Sequence, residues 1–343
     1  MTSKMRAEAL QAPDTVARLL AADTTTLQAL ARSLHDTPPQ ALLTVARGSS
    51  DHAAAYMAYL VMARLGRLVT SLPMSLVTQY PARLRCEGLV SLAFSQSGQS
   101  PDLVAPTHYF REGGARTVAF VNDAQSPLAA ASEWVLPLHA GVEASVAATK
   151  SYIAQLVCGA RLVAHWQAEE GDTTLLAALA SLPEALHAAA QCDWQAVVPA
   201  LVGAERLYVI SRGTGLAVAQ EAALKFKETC AIQAEAFSGA ELRHGPMALV
   251  DAGYPLLILA PRGPAQAGLL TLAADMRKQG ARVLLAAPAG TPGAELPLAH
   301  TGHEDLDPIA VVQSFYPMVE ALSRARGLDP DAPPHLAKVT RTN

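Results

Sequence analysis

The chain has 343 residues, 51% hydrophobic and 16% charged, which is enough apolar surface for large buried cores and excludes a disordered chain. A formal charge of −4 and a pI near 6.2 exclude a general attraction to nucleic acid or anionic membrane, so an anion site has to be local. Cys86, Cys158, Cys192 and Cys230 are scattered, with no CxxC pair and no histidine at metal spacing, which argues against a zinc site or disulfide framework and for reduced thiols.

The opening Met1-Thr-Ser-Lys-Met-Arg-Ala-Glu lacks an apolar signal core, and the apolar runs are interrupted by Arg64, Pro261 or Arg262 before they reach membrane length. A cytoplasmic location is the expectation. Residues 1–36 read as a helical segment. Ala41-Leu-Leu-Thr-Val-Ala-Arg-Gly48-Ser-Ser then reads as a short apolar strand, Arg-Gly, small residues and an Ala-rich helix. Further strands are expected at 89–94, 117–121 and 134–138, and helices through 149–200 with a boundary near 192–199. Arg206-Leu-Tyr-Val-Ile-Ser-Arg-Gly213-Thr-Gly repeats the opening pattern about half a chain later, followed by strands at 256–260, 283–287 and 296–299 and a closing helix at 307–326. A Pro-rich stretch, 329–334, leads to a tail carrying Lys338. Strands alternating with helices, duplicated, predict an α/β fold of two parallel, doubly wound sheets.

Two stretches carry chemistry. Phe94-Ser95-Gln96-Ser97-Gly98-Gln99-Ser100 follows an apolar strand and precedes Pro101-Asp102-Leu-Val, so hydroxyls and backbone N–H groups cluster where a strand ends and a helix begins, a natural anion site. The bland reading is a turn with an N-cap. Glu221, Lys225 and Glu228 stand at i, i+4 and i+7 on one helix face; a solvated, ion-paired face is the bland reading. Lysine is scarce, however, supplying six of 26 basic residues, and it can lose a proton or form an imine where arginine cannot.

Ser49-Ser50, Ser95-Gln96-Ser97-Gly98, Gly141-Val-Glu143-Ala-Ser-Val-Ala-Ala-Thr149-Lys150, Glu221 to Glu228, Glu241-Leu-Arg243-His244-Gly245-Pro246 and Leu336-Ala-Lys338 together resemble the sugar isomerase (SIS) family. The resemblance is to the isomerase half of glucosamine-6-phosphate synthase and to the stand-alone SIS deaminases, and it runs in order from about Ala41 to Lys338. It implies two tandem SIS domains at 37–190 and 191–328, each with a mainly parallel five-stranded sheet flanked by helices, after the segment 1–36 and before an active-site tail at 329–343. The synthase begins with a glutaminase domain carrying an N-terminal cysteine, whereas this chain has Thr2, so no counterpart of that domain is expected. The expectation is therefore a chain that cannot harvest ammonia from glutamine by itself.

By resemblance, Ser49, Ser50, Ser95, Gln96, Ser97 and Ser100 hold the sugar phosphate, and Glu143, Ala147 and Ala148 shape the sugar-hydroxyl side. Glu228 moves a proton between C1 and C2, a task suited to a partly buried carboxylate. Lys225 stabilises the oxygen charge that develops, His244 opens the ring in the neighbouring subunit's site, and Lys338 reaches the substrate carbonyl. Without the resemblance, His244 before Gly-Pro would be a turn or core residue, and Lys338 a solvated tail charge. Ser100 replaces a threonine, Arg243 a lysine and Gln233 a histidine of the synthase pattern, the last leaving the fate of ammonia open. The implied activity is deamination of an amino-hexose 6-phosphate, glucosamine-6-phosphate first, to ketose phosphate and ammonia. No cofactor or metal is expected, and no partner but the sugar phosphate and a second copy of the chain. A plain aldose–ketose isomerase or fructosamine-phosphate deglycase is the alternative. A non-catalytic phosphosugar-binding protein is a third reading, though the prefix is too short and too weakly basic for a helix-turn-helix domain. Gly213-Thr-Gly215 with Glu235 suggests a dinucleotide fold, but Val218 occupies the third glycine position.

Overall fold

The computed structural model describes residues 2–80 and 82–338; of the tail, 339–343 lie outside the described residues. The chain forms two compact units. One contains residues 14–143, 150–180 and 337–338, the other 2–13, 144–149 and 181–336.

The first unit is built on strands β1 (Ala41–Val45), β2 (Val69–Ser71), β3 (Leu89–Ser95), β4 (Arg116–Val121) and β5 (Trp134–Pro137), all parallel and ordered β2-β1-β3-β4-β5. The central strands are buried on both faces, which is why they read as continuous Leu/Val/Ala/Phe runs without alternation. One face, with Leu43, Val45, Ala93, Ala119 and Val121, is covered by Leu103 and Phe110 of helix Pro101–Glu112 and by Leu128 of helix Pro127–Ala131. The alternate residues lie on the other face, where Phe94 stacks on Phe120 at 4.1 Å. Helix Gly48–Leu65 packs against helix Lys150–Glu169, which is buried along nearly its whole length, the polar Gln155 and Arg161 included.

The second unit repeats the plan with β6 (Arg206–Ser211), β7 (Gln233–Ser238), β8 (Pro255–Leu259), β9 (Arg282–Pro288) and β10 (Leu296–Leu298), ordered β10-β9-β8-β6-β7 and again parallel. Counted within each unit, both sheets have the order 2-1-3-4-5. The duplication seen in the Arg-Gly repeats therefore extends to topology. Tyr208, Ile210, Leu256, Ile258, Val283 and Leu285 pack under Leu269, Leu272 and Met276 of helix Gln266–Lys278. Helix Gly215–Cys230 packs on helix Asp307–Ala325, with Phe226 and Phe315 edge to face.

The second strand of each sheet, β2 or β7, is an edge strand with little apolar signal: β2 has three residues and β7 alternates as Gln-Ala-Glu-Ala-Phe-Ser. Each is recruited by backbone pairing to the first strand of its sheet.

Candidate active site

In a 2-1-3-4-5 sheet the crossovers leave β1 in opposite directions, opening a crevice beyond the carboxyl ends of the first and third strands, where ligands bind. In the first unit that crevice is flanked by the turns after β1 and β3. The chain leaves β1 through Arg47 and Gly48, the latter at φ 53°, into helix Gly48–Leu65, which puts Ser49 and Ser50 in its first turn beside N–H groups with no helical acceptor. Ser50 Oγ accepts from Gln155 Nε2 at 2.9 Å. The chain leaves β3 through Gln96, Ser97, Gly98 and Gln99 to Ser100, the N-cap of helix Pro101–Glu112, whose side chain makes no capping bond.

This loop can close only around glycine. Gly98 sits at φ 65°, and a Cβ there would collide with Ser126 and approach Val121 Cγ2 to 2.8 Å. Its N–H donates to Ser95 Oγ at 2.9 Å, and its carbonyl accepts from Leu128 N. Ser95 is thus buried and shapes the loop, whereas Gln96 and Ser97 are half-buried; Ser97 Oγ accepts from Gln99 N at 3.3 Å. Arg47 bonds Asp102 at 3.1 Å, tying together the two turns that flank the crevice. In the second unit the same topological position carries Arg262, already paired through both Nε and an Nη to Asp307 at 2.7 and 2.8 Å. That arginine is satisfied, and no hydroxyl-rich loop follows β8.

Glu143 of the first unit is fully buried. Its Oε1 accepts from Ser151 N at 3.1 Å, and its Oε2 accepts from Ser151 Oγ at 2.6 Å and from Lys338 Nζ at 2.8 Å. Burial alone would push its carboxyl up, but the Lys338 charge and these hydrogen bonds outweigh burial and hold it below the ordinary value. Asp51, lacking such partners, is pushed up by burial, with His52 and Arg47 opposing.

In the second unit, helix Gly215–Cys230 carries Glu221, Lys225 and Glu228. Lys225 Nζ lies 3.1 Å from Glu221 Oε1 and 2.6 Å from Glu228 Oε2. The side chains of Glu221 and Lys225 are wholly inaccessible and that of Glu228 is 21% exposed, which rules out a solvated helix face. Burial would pull the ammonium's pKa down, but the two carboxylates outweigh it and keep Lys225 protonated well above its usual range. Tyr316 Oη donates to Glu221 Oε1 at 3.4 Å. Lys225 is thus held inside, where it acts on Glu228 rather than in the open. Also in this unit, Glu8 Oε1 and Oε2 accept from Ala144 N at 2.6 Å and Ser145 N at 3.1 Å, holding the start of the loop with Ala147, which is buried, and Ala148, which is half-buried. His244 is exposed at the end of a short turn after β7, just before Gly245 at φ 145°.

Gln155, Tyr316 and Glu8 carry no sequence signal of their own, because each meets its partner across a fold contact, whereas Arg47, Asp102 and Ser151 stand next to recognisable motifs. Among the described residues no cluster of three or more His, Cys, Asp or Glu could hold a metal, and no helix is long and apolar enough to cross a membrane.

The chain is similar to the glutamine–fructose-6-phosphate aminotransferase (isomerizing) of Aeropyrum pernix, with 35% identity over 87% of this chain and 50% of the relative, so it spans about half the length of such curated relatives. A solved structure from Silicibacter pomeroyi DSS-3, provisionally named a phosphosugar isomerase, is 43% identical over 96% of this chain and 100% of its own, with a TM-score of 0.90. The glucosamine-6-phosphate deaminase of Thermotoga maritima shares the fold at a TM-score of 0.77, covering 99% of this chain and 100% of that one, at 21% identity. The SIS domain family model matches residues 38–164 and 200–292, covering β1 to β5 in one unit and β6 to β9 in the other. With the order 2-1-3-4-5 in both sheets and the hydroxyl loop at one switch point, the chain belongs to the SIS domain family.

Proposed function

We propose that this protein is a phosphosugar aldose–ketose isomerase that also deaminates, converting an amino-hexose 6-phosphate, glucosamine-6-phosphate first, and water to ketose 6-phosphate and ammonia. The observation that carries the reading is the chain Glu221–Lys225–Glu228, in which a buried ammonium grips a carboxylate that still reaches solvent. A carboxylate so oriented is a proton-transfer group, and isomerisation requires one proton to move between C1 and C2. The phosphate goes to Ser50, Ser97 and Ser100 with the helix N-terminus of Gly48–Leu65; Ser49 and Gln96 line the same turns, and Ser95 holds the loop in shape. Hydroxyls and amides can hold a dianion without lysine. Lys225 orients Glu228, Lys338 serves the substrate carbonyl, and Ala147 and Ala148 border the sugar. His244, exposed on its turn, opens the ring in the site of a second copy, which makes the working unit a dimer. Kinship with relatives named for fructose-6-phosphate and glucosamine-6-phosphate supports this substrate class.

The test is ammonia release, coupled to glutamate dehydrogenase, across glucosamine-, galactosamine- and fructosamine-type 6-phosphates, with glucose/fructose-6-phosphate interconversion measured in parallel. Ammonia from an amino-hexose phosphate, undiminished by chelator, is expected. Interconversion without ammonia would assign a plain isomerase, ammonia from the fructosamine phosphate alone a deglycase, and binding without turnover a phosphosugar sensor.

A further inference from the structure

Glu143 is a fully buried carboxylate in a loop, a costly placement unless the charge is met by well-aligned donors. Two of its donors come from one residue, Ser151, at the first turn of the buried helix Lys150–Glu169, so the carboxylate is oriented before any tail contact is made. The third comes from Lys338, 195 residues away, at the end of a stretch of turns that follows helix Asp307–Ala325. Lys338 Nζ meets Oε2, the oxygen that also takes the Ser151 hydroxyl, and its side chain is 25% exposed. The geometry is that of a loop socket braced by a buried helix and a plug on an irregular tail.

We propose that Glu143 is the positioning residue of the C-terminal tail, its buried carboxylate anchoring the Lys338 ammonium and so setting where the tail lysine is presented. The proposal rests on the functional reading above, in which Lys338 serves the substrate carbonyl. Glu143 then acts on the reaction through Lys338. The anchored lysine is held by a charge-assisted hydrogen bond, and an amine released from the anchor is free to move.

The experiment is competitive acetylation with acetic anhydride at pH 8, read by peptide mass mapping with exposed Lys4 and Lys278 as internal references. Glu143→Gln keeps the side-chain volume and removes the charge. Lys338 acetylation should rise severalfold relative to the references, because an amine no longer held by the buried carboxylate is open to the reagent for more of the time. An unchanged ratio overturns the anchor. If Glu143→Gln does not fold by circular dichroism, Lys338→Met decides instead: hydrogen exchange of a peptide covering 329–338 should speed up against wild type, and equal protection overturns the proposal. In turnover, both single variants should lower kcat with KM nearly held, Glu143→Asp should recover part of the loss, and the double variant should be no worse than Lys338→Met. Additive losses would show that Glu143 acts independently of the tail. Labelling is read without substrate, so absence of any turnover in the wild type would refute the functional reading and leave the anchor judged on its own.

Discussion

At the scale of single residues, the candidate chemistry rests on ions kept charged by their neighbours. Breaking a buried pair on one side costs about 3–5 kcal/mol, which is why Lys225 needs both Glu221 and Glu228. Glu228→Gln keeps a hydrogen-bond acceptor for Lys225 but removes the base, so kcat should fall by about 10² to 10⁴ with KM little changed; single-turnover kinetics with unchanged kcat would assign the proton transfer elsewhere. Glu143 yields a pH prediction. Its folded pKa lies below the ordinary 4.5, so its ion pair contributes stability above the carboxylate range and loses it as pH falls through the folded value. Lys338→Met removes the charge that opposes burial. The melting temperatures of the variant and wild type should therefore differ at pH 7 and converge as pH falls below the ordinary carboxylate range; a gap that stays constant as pH falls through that range would contradict the assignment.

At the scale of elements, the turn after β3 is the part whose function depends most on backbone. Gly98→Ala would place a methyl group against Ser126 and Val121 in a conformation that L residues rarely adopt. The Gly98–Ser95 bond would be displaced and the crevice loop with it. Since phosphate contacts are made in ground and transition states alike, KM for the sugar phosphate should rise by at least about tenfold with kcat changed much less; steady-state kinetics and inhibition by inorganic phosphate measure it. This turn was legible in the sequence because hydroxyls, Gly98 and Pro101 are contiguous. The strands of the sheet interiors were equally legible as uninterrupted apolar runs. β2 and β7 were not, although the other two edge strands, β5 and β10, were: β2 has three residues and β7 alternates as Gln-Ala-Glu-Ala-Phe-Ser, so neither shows an apolar run and each is held by backbone pairing.

At the scale of the whole molecule, duplication built two sheets of one topology and gave them different uses. The first places a hydroxyl loop at its switch point, and the second holds a satisfied Arg262–Asp307 pair there while contributing the helix with Glu228 and the turn with His244. If His244 serves a second copy, His244→Ala and Glu228→Gln, each inactive alone, should regain activity when mixed under subunit exchange. A two-fold heterodimer has one site with both groups and one with neither, so about half the wild-type activity per heterodimer is expected. Mixtures that stay inactive despite exchange proven by native mass spectrometry would return the histidine to its own chain.

The sequence by itself determined the α/β class, the duplication and the chemistry-bearing motifs, because strand burial, turn residues and i, i+4, i+7 spacing are local properties of the chain. Only the tertiary structure decided which charges are buried and with whom. Lys225 became an internal counterion, Ser95 a brace for its own loop, and Glu143 a socket for Lys338. Within their own units, Tyr316, Gln155 and Arg47 meet Glu221, Ser50 and Asp102 through contacts spanning 95, 105 and 55 residues. Such pairings depend on how elements pack, and packing brings together residues that share no local pattern.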